Sequence, residues 1–185
     1  MSIYIDCTGI YIALTCNSGQ AILMTLKRLH IESPLGPMIL AASDAGLAGL
    51  WFEDQRHLPA FEAWQKVSRH PILDQARDEV QAYFEGALRA FSTPRVAAWG
   101  TPFQQEVWEA LMVIPSGSTT TYGNIASQLH RPKAVRAVGG AIGKNPWSIM
   151  VPCHRVLAMD GGLTGYAGGL VRKIALLRLE GVVLK

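Results

Sequence analysis

Cysteine is scarce in this 185-residue chain, which has only Cys7, Cys16 and Cys153 and no C-x-x-C pair. Such spacing excludes a disulfide framework and a zinc ribbon, and it fits a reducing compartment. No Lys or Arg precedes Lys27, so the positive start of a secretory signal is missing, and no apolar run reaches membrane-spanning length. We therefore expect a cytoplasmic protein with no membrane association and no bound metal.

Charge is also sparse, at 17% of residues, and it is unevenly distributed. Residues 1–130 hold 8 Lys and Arg against 12 Asp and Glu, whereas residues 131–185 hold 9 against 2. A hydrophobic content of 49% argues against wholesale disorder. The basic C-terminal third predicts a polyanionic partner.

The first half of the chain predicts a small α/β domain over residues 24–100. Residues 1–23 form a weakly patterned extension, and Met24 is an alternative start. From Leu26, three short apolar runs are separated by "SPLG" and "SDAG", which is the turn chemistry of a β-meander. Residues 57–88 have helical periodicity, and "FSTPRVAAWG" closes the domain as a loop or edge strand.

The second half predicts a helical domain over residues 101–185. Thr101 suits an N-cap, Pro102 suits the first helical position, and Gln104 completes a capping box. That helix ends at "IPSGS", a second is "YGNIASQLH", and a third starts near Pro132. The short interval between the second and third is helix-turn-helix spacing. A tail helix, "LVRKIALLRLEG", ends on a glycine.

The predicted third helix is rich in small residues. Gly139 and Gly140 lie inside it, where each costs about 1 kcal/mol relative to alanine, so close approach of another group is indicated. A packed helix or a nucleic acid would explain that approach. Arg136 projects from the same helix and could contact phosphate or replace a base in the stack.

The segment "MVPCHRVLAMDGG" places Cys153 beside His154 and Arg155. An isolated cysteine is most often a small buried hydrophobe. A neighbouring imidazole or cation, however, can lower a thiol pKa and make the thiolate available as a nucleophile. Metal ligation by Cys153 and His154 is less favoured, because adjacent residues seldom complete a tetrahedral set.

Several segments together resemble the methylated-DNA–protein-cysteine methyltransferases, also called O6-alkylguanine-DNA alkyltransferases. They are "VPCHRVL" after "NPWSIM", "GGLTGYAGGLVRKIALLRLEG" and "TTTYGNIASQLHRPKAVRAVGGAIGKNP", with "ESPLGPMILAASDAGLAGLWFE" resembling the family's N-terminal domain. The resemblance covers about residues 26–181. It implies an α+β protein with an N-terminal ribonuclease-H-like α/β domain and a C-terminal helical, winged-helix-like domain.

The resemblance also implies the chemistry. Cys153 would take the alkyl group from O6-alkylguanine, with O4-alkylthymine as a second candidate substrate, and would keep it as a thioether. His154 would act on Cys153 as a base through a water, oriented by Glu180. Tyr122 would donate to the guanine ring, and Lys173 would lie near Cys153 and the leaving oxygen. No cofactor is implied, and each molecule would react once.

Further positions follow from the same resemblance. The implied substrate contacts are Tyr122, Asn145, Val156, Tyr166, Ala167 and Ile142, with Asn145 also acting as a structural hinge. The implied DNA contacts are Arg136, Ala134, Ala137, Gly139 and Tyr122, with Arg136 filling the stack vacated by a flipped nucleotide. The partner would be double-stranded DNA, bound by a protein that is monomeric in solution, and clustering of the protein on DNA stays open.

Two positions depart from the pattern of some family members. Ser148 stands where some have a second proline, and Ala167 stands where some have serine. The zinc site of some N-terminal domains has no clear counterpart. Two other functional classes stay open, a DNA-binding regulator or damage sensor without chemistry and, less favoured, a cysteine hydrolase; the former would not require Cys153.

Overall fold

The computed structural model describes residues 2–6, 9–15, 21–96 and 98–184. Strands β1 (Ser2–Asp6), β2 (Gly9–Thr15) and β3 (Ala21–Thr25) form an antiparallel sheet in that order. The weakly patterned extension expected here therefore contains strands, consistent with its content of Ile, Tyr and Thr. Cys7 and Cys16 lie outside the described residues.

The predicted meander is confirmed as a second sheet with the order β6-β5-β4-β7. Strands β4 (Lys27–Ile31), β5 (Met38–Ser43) and β6 (Gly46–Phe52) are antiparallel, and β7 (Gln65–Lys66) pairs with β4 in parallel. Every residue of β5 and β6 is buried. Their apolar runs are continuous because α1 packs beside them and a Trp51-centred cluster forms a second core.

Helix α1 spans Pro71–Phe84, so the helical reading of residues 57–88 is wrong at both ends. The backbone of His70 is extended, as expected for a residue before a proline, so the helix cannot extend further toward the N-terminus. At the other end Glu85 caps the helix and Gly86 adopts φ 77°. The face toward the core consists of Leu73, Ala76, Val80 and Tyr83.

The C-terminal half contains the predicted helices. Helix α2 (Pro102–Met112) begins with the capping box of Thr101 and Gln104, which is confirmed. Helices α3 (Tyr122–Gln128) and α4 (Val135–Gly143) form the helix-turn-helix, and α4 begins three residues beyond Pro132. A 3-10 helix (Cys153–Arg155) leads into β9 (Val156–Leu157), which pairs in parallel with β8 (Thr120–Thr121).

The last helix, α5, spans Leu170–Leu179. Glu180 caps it, and Gly181 follows with φ 83°, which confirms the predicted glycine end. No helix in the described ranges is long and apolar enough to span a bilayer.

The segment before Cys153 is attached to the edge of the N-terminal sheet. In β6, Leu50 donates its N–H to the carbonyl of Pro146 and accepts from the N–H of Ser148, both at 2.8 Å. The Trp147 indole also donates to the carbonyl of Leu47 at 3.0 Å. One hydrophobic core runs from β5 and β6 to α2, α4 and Cys153, so the sheet fixes the segment that carries the cysteine.

Candidate active site

Cys153 begins the 3-10 helix and is buried, with 5% of its surface exposed. The Asn145 amide donates to its Sγ at 3.1 Å and to the carbonyl of Val151 at 2.9 Å. Burial raises the pKa of the Cys153 thiol, while the Asn145 hydrogen bond and the charge of Lys173 oppose that rise. The resting group is therefore a thiol that needs a base to become a strong nucleophile.

His154 is fully buried, and its Nε2 lies 3.0 Å from Oε1 of Glu180. Burial lowers the pKa of His154, although Glu180 opposes this, so the ring is neutral near neutral pH. A carboxylate accepts only, so Nε2 carries the proton and Nδ1 is the basic nitrogen. Nδ1 is buried and has no hydrogen-bond partner among the described residues, which leaves it available to take a proton.

Glu180 is held as an anion by several donors. Arg155 donates from Nε to Oε2 and from Nη2 to Oε1, each at 2.8 Å. The Tyr83 hydroxyl donates to Oε1 at 2.7 Å. Burial alone would raise the pKa of Glu180, but the hydrogen bonds from His154 and Arg155 outweigh it and hold the pKa far below its ordinary value.

Lys173 is a fully buried cation between β9 and the loop that follows it. Its Nζ donates to the carbonyl of Val156 at 2.6 Å and to that of Thr164 at 2.7 Å. Burial lowers the pKa of Lys173 to about 8, and the nearby Cys153 thiolate partly opposes the change. Lys173 therefore ties the loop to the strand and places a titratable positive charge near the thiol.

A cavity of about 220 Å³ is lined by Tyr122, by α4 and by the loop that Lys173 holds at Thr164, whereas Cys153 is not among its lining residues. The Tyr122 hydroxyl donates across it to the carbonyls of Thr164 and Gly165 at 3.3 and 3.4 Å. Burial raises the pKa of Tyr122, the hydrogen bond with Thr164 opposes that rise, and the negative charge of a Cys153 thiolate adds to it. The lining residues are Arg56, His57, Tyr122, Gly139, Ile142, Gly143, Thr164, Gly165, Tyr166 and Ala167.

Five residues named from the sequence therefore meet in one cavity wall: Tyr122, Gly139, Ile142, Tyr166 and Ala167. Asn145 and Val156 do not line the cavity; the Asn145 amide is bonded to Sγ of Cys153, and the Val156 carbonyl is bonded to Nζ of Lys173. Arg56 and His57, from the N-terminal half, were missed. His57 has φ 62°, and such a positive φ in a non-glycine residue could not be predicted from the sequence pattern.

Helix α4 presents a surface of small residues to solvent. Val135, Arg136, Ala137 and Gly140 are exposed, and Ala134, at the N-cap, is partly exposed. Among the residues that the structure describes, a Cβ on Gly140 would meet nothing within 4 Å, and one on Gly139 would make only ordinary contact with the Tyr122 ring. Tight packing of another helix of this chain thus does not explain these glycines, which favours an external partner.

The loop carrying Tyr166 and Ala167 is also held by the N-terminal half. The backbone N–H of Arg56 donates to the carbonyl of Ala167 at 3.0 Å. Arg172 donates to the carbonyl of Gly168 at 3.0 Å and pairs with Asp54 at 2.7 Å. These contacts fix one wall of the cavity, and sequence reasoning did not find them.

Ser148, one of the two departures, also contacts the N-terminal half. Its hydroxyl donates to Oε1 of Gln55 at 2.8 Å, and that oxygen accepts from the N–H of Phe52 at 3.0 Å. Ser148 is therefore part of a buried link between the halves.

Fold and site together define a protein that places a buried cysteine, with a histidine and glutamate behind it, beside a helix-turn-helix. Residues 102–182 match the family model "6-O-methylguanine DNA methyltransferase, DNA binding domain". Residues 26–95 match that of the "6-O-methylguanine DNA methyltransferase, ribonuclease-like domain". The chain belongs to the 6-O-methylguanine DNA methyltransferase family.

Individual relatives agree with this. The chain is 41% identical to the methylated-DNA–protein-cysteine methyltransferase of Haemophilus influenzae over 82% of this chain and 84% of the relative. It is 45% identical to that of Mycobacterium leprae over 81% and 89%. The crystal structure of Mycobacterium tuberculosis O6-methylguanine methyltransferase superposes with a TM-score of 0.77 at 44% identity, covering 84% and 92%. A second structure, of Mycobacterium tuberculosis OGT in complex with DNA, gives 0.75 at 44% identity, covering 84% and 91%.

These matches confirm the resemblance identified from the sequence and the α+β architecture with an N-terminal sheet domain and a C-terminal helical DNA-binding domain. Residues 1–25 precede the matched region.

Proposed function

We propose that the chain repairs DNA by moving the alkyl group of an O6-alkylguanine onto Sγ of Cys153. The observation that carries the proposal is the buried thiol beside a neutral histidine whose proton position is fixed by Glu180. Sγ attacks the alkyl carbon, the bond from carbon to the guanine oxygen breaks, and its electron pair stays on guanine. The product is a thioether on Cys153, so each molecule reacts once and uses no cofactor.

The thiol proton goes to Nδ1 of His154. Burial favours the neutral ring, and the bond from Nε2 to Glu180 stabilises the imidazolium that forms. We propose that a water connects Sγ and Nδ1. The logic is that of hydrolase triads, with an acidic residue orienting a base that activates a nucleophile.

The guanine anion is a better leaving group when donors reach its oxygen and ring nitrogens. Tyr122 lines the cavity and is kept protonated by burial, so its hydroxyl can turn from the carbonyls of Thr164 and Gly165 to donate to guanine. The Ala167 backbone N–H and the charge of Lys173 are the other proposed contributors. The carbonyl of Val156 accepts from Lys173 and has a second lone pair for the exocyclic amine of guanine.

A base inside a duplex cannot reach this cavity, so the target nucleotide must be flipped out, at a cost of about a few kcal/mol. Helix α4 would enter the minor groove, because its exposed face carries Ala137 and Gly140 around the single cation Arg136. Arg136 would then fill the vacated stack, and Tyr122 would help to rotate the phosphate.

The test is intact-protein mass spectrometry after incubation with a duplex carrying one 6-O-methylguanine. The wild type should gain the mass of about one methylene group, localised to the peptide containing Cys153, and Cys153→Ser should gain none. Retained DNA binding with no mass gain in the wild type would instead support a DNA-binding sensor.

Arg136→Ala should slow alkyl transfer from duplex DNA by roughly tenfold while leaving reaction with free 6-O-benzylguanine unchanged, if that base enters the cavity. The reason is that Arg136 acts on the duplex and not on the thiol. Single-turnover rates on both substrates measure this, with Arg69→Ala as control, because Arg69 is 81% exposed on the other half of the chain. Equal loss on both substrates would contradict the stacking role.

A further inference from the structure

Tyr83 connects the N-terminal domain to the proposed proton relay. It lies near the end of α1, is fully buried, and donates its hydroxyl to Glu180 at 2.7 Å, across 97 residues of sequence. The ring packs against Phe84 and Phe91, as a phenylalanine ring also could. The buried hydroxyl needs a hydrogen-bond partner, and that partner is the relay carboxylate.

Three donors meet at Oε1 of Glu180. They are the Tyr83 hydroxyl at 2.7 Å, Nη2 of Arg155 at 2.8 Å and Nε2 of His154 at 3.0 Å. A carboxylate oxygen has about two lone-pair sites. Three donors at Oε1 therefore compete for its negative charge, and each is bonded less strongly than it would be alone. All three distances are ordinary for their donor types, so His154 is one of three bonded donors at the same oxygen.

We infer that Tyr83 is a positioning residue through which the N-terminal domain sets the basicity of His154. The inference rests on the proposed function, because it gives the His154–Glu180 pair a proton-transfer role. By withdrawing charge from Oε1, Tyr83 weakens the stabilisation of the protonated ring, so a larger fraction of His154 is the neutral base at a given pH. A folded ribonuclease-like domain would then be part of the alkyl-transfer machinery.

Other charged and titratable groups surround Tyr83, Glu180 and His154, and the substitution at Tyr83 must leave them unchanged. Arg155 and Lys173 act on the pKa of His154, Arg155 and Arg89 act on that of Tyr83, and Tyr166, which interacts with Cys153 and Tyr83, packs edge-on against the His154 ring. Tyr83→Phe removes one oxygen and leaves all of them in place. Burial and the neighbouring Glu180 raise the pKa of Tyr83, so it remains a donor throughout the range tested.

The experiment uses Tyr83→Phe in the full chain and compares it with Thr93→Val. The control removes a hydroxyl that donates to the carboxylate of Glu79 at 2.8 Å, which is a bond of the same kind but remote from the relay, with its acceptor on α1. For each protein, the imidazole 15N shifts of His154 are titrated by NMR. The single-turnover rate of Cys153 alkylation on a 6-O-methylguanine duplex is measured across pH 5–9.

In Tyr83→Phe the His154 titration should move to higher pH by about half a unit to one unit. The acid limb of the rate should move with it, because His154 must be neutral to act as a base. Below the midpoint of that limb the variant should be roughly 3- to 10-fold slower, and on the plateau, where His154 is neutral in both proteins, it should be no slower than the wild type. Thr93→Val should leave both midpoints unchanged.

A Tyr83→Phe protein with wild-type midpoints would overturn the inference, as would an equal shift in Thr93→Val. Repeating Tyr83→Phe in a Glu180→Gln background should abolish the shift, since the effect passes through that carboxylate; a persistent shift would assign it to another path. The NMR titration does not depend on catalysis. A wild type that does not alkylate Cys153 would therefore reject the proposed function, while the titration still decides the role of Tyr83.

Discussion

Glu180→Gln is expected to lower the free energy of unfolding by about 3–5 kcal/mol, as removal of one partner from a buried ion pair does. Arg155, buried and bonded twice to the carboxylate, would keep its charge without a counterion. The NH₂ of the glutamine would replace an accepting oxygen, so its N–H groups would point at the donors of Arg155, His154 or Tyr83 and could not hydrogen-bond to them. Urea unfolding followed by circular dichroism measures the change.

The same substitution should slow alkyl transfer by roughly 10²-fold, because it removes the anion that stabilises protonated His154. Duplex DNA binding should persist, since the exposed face of α4 is unchanged. Single-turnover alkylation and DNA affinity, measured on the same preparations, separate the two effects. An unchanged rate in folded protein would remove Glu180 from the relay.

Glu106→Gln is the matched control. It breaks the pair between Glu106 and Arg131, whose side chains are 48% and 46% exposed. Screened surface pairs contribute about 0–1 kcal/mol, so stability and rate should stay close to wild type. Comparable losses of stability and rate in Glu180→Gln and Glu106→Gln would contradict the view that the effect of Glu180 depends on burial of its ion pair.

The pH dependence of stability provides an independent check on Glu180. Its folded pKa lies far below that of an ordinary carboxyl, so its stabilisation is present above about pH 4.3 and is lost as the pH falls below that value. Wild-type protein should therefore lose stability between about pH 4 and 2 more steeply than Glu180→Gln does. Parallel curves would contradict the charge assignment.

Local sequence signals predicted the parts of the fold that depend on neighbours in the chain. The capping box at Thr101 and the glycine end of α5 each depend on residues a few positions apart. The start of α1 was also available, because Pro71 disfavours helix at the residue before it. Periodicity alone extended that helix too far.

Contacts across the chain could not be predicted in the same way. Tyr83 meets Glu180 across 97 residues, and Arg172 bonds the carbonyl of Leu35 across 137. Nothing in the local pattern of α1 separates Tyr83 from an ordinary core aromatic, since its ring packs with the apolar face. The family resemblance identified the groups near Cys153. The contacts between these groups and the N-terminal half could be found only in the tertiary structure.

Lys173→Met is expected to slow alkyl transfer by roughly 10²- to 10³-fold, the cost typical of losing one preorganised charge-stabilising donor. The variant removes the cation near the thiol and both ties, to Val156 and Thr164, that hold the loop carrying Tyr166. Methionine has similar length and suits a buried site, so a stability change of only about 1 kcal/mol is expected. Single-turnover alkylation measures the loss of rate, and urea unfolding measures the small loss of stability. Lys66→Met, on exposed β7, is the control and should change neither.

The wild type should also show a stability signature of Lys173 that the methionine variant lacks. Because burial lowers the pKa of Lys173 to about 8, the folded protein releases this proton at lower pH than the unfolded chain does. Between about pH 8 and 10.4 the unfolded state binds more protons, so this group makes stability rise with pH. A wild-type curve parallel to that of Lys173→Met across this window would show that Lys173 is not desolvated, and the rate loss would then have to come from the loop contacts alone.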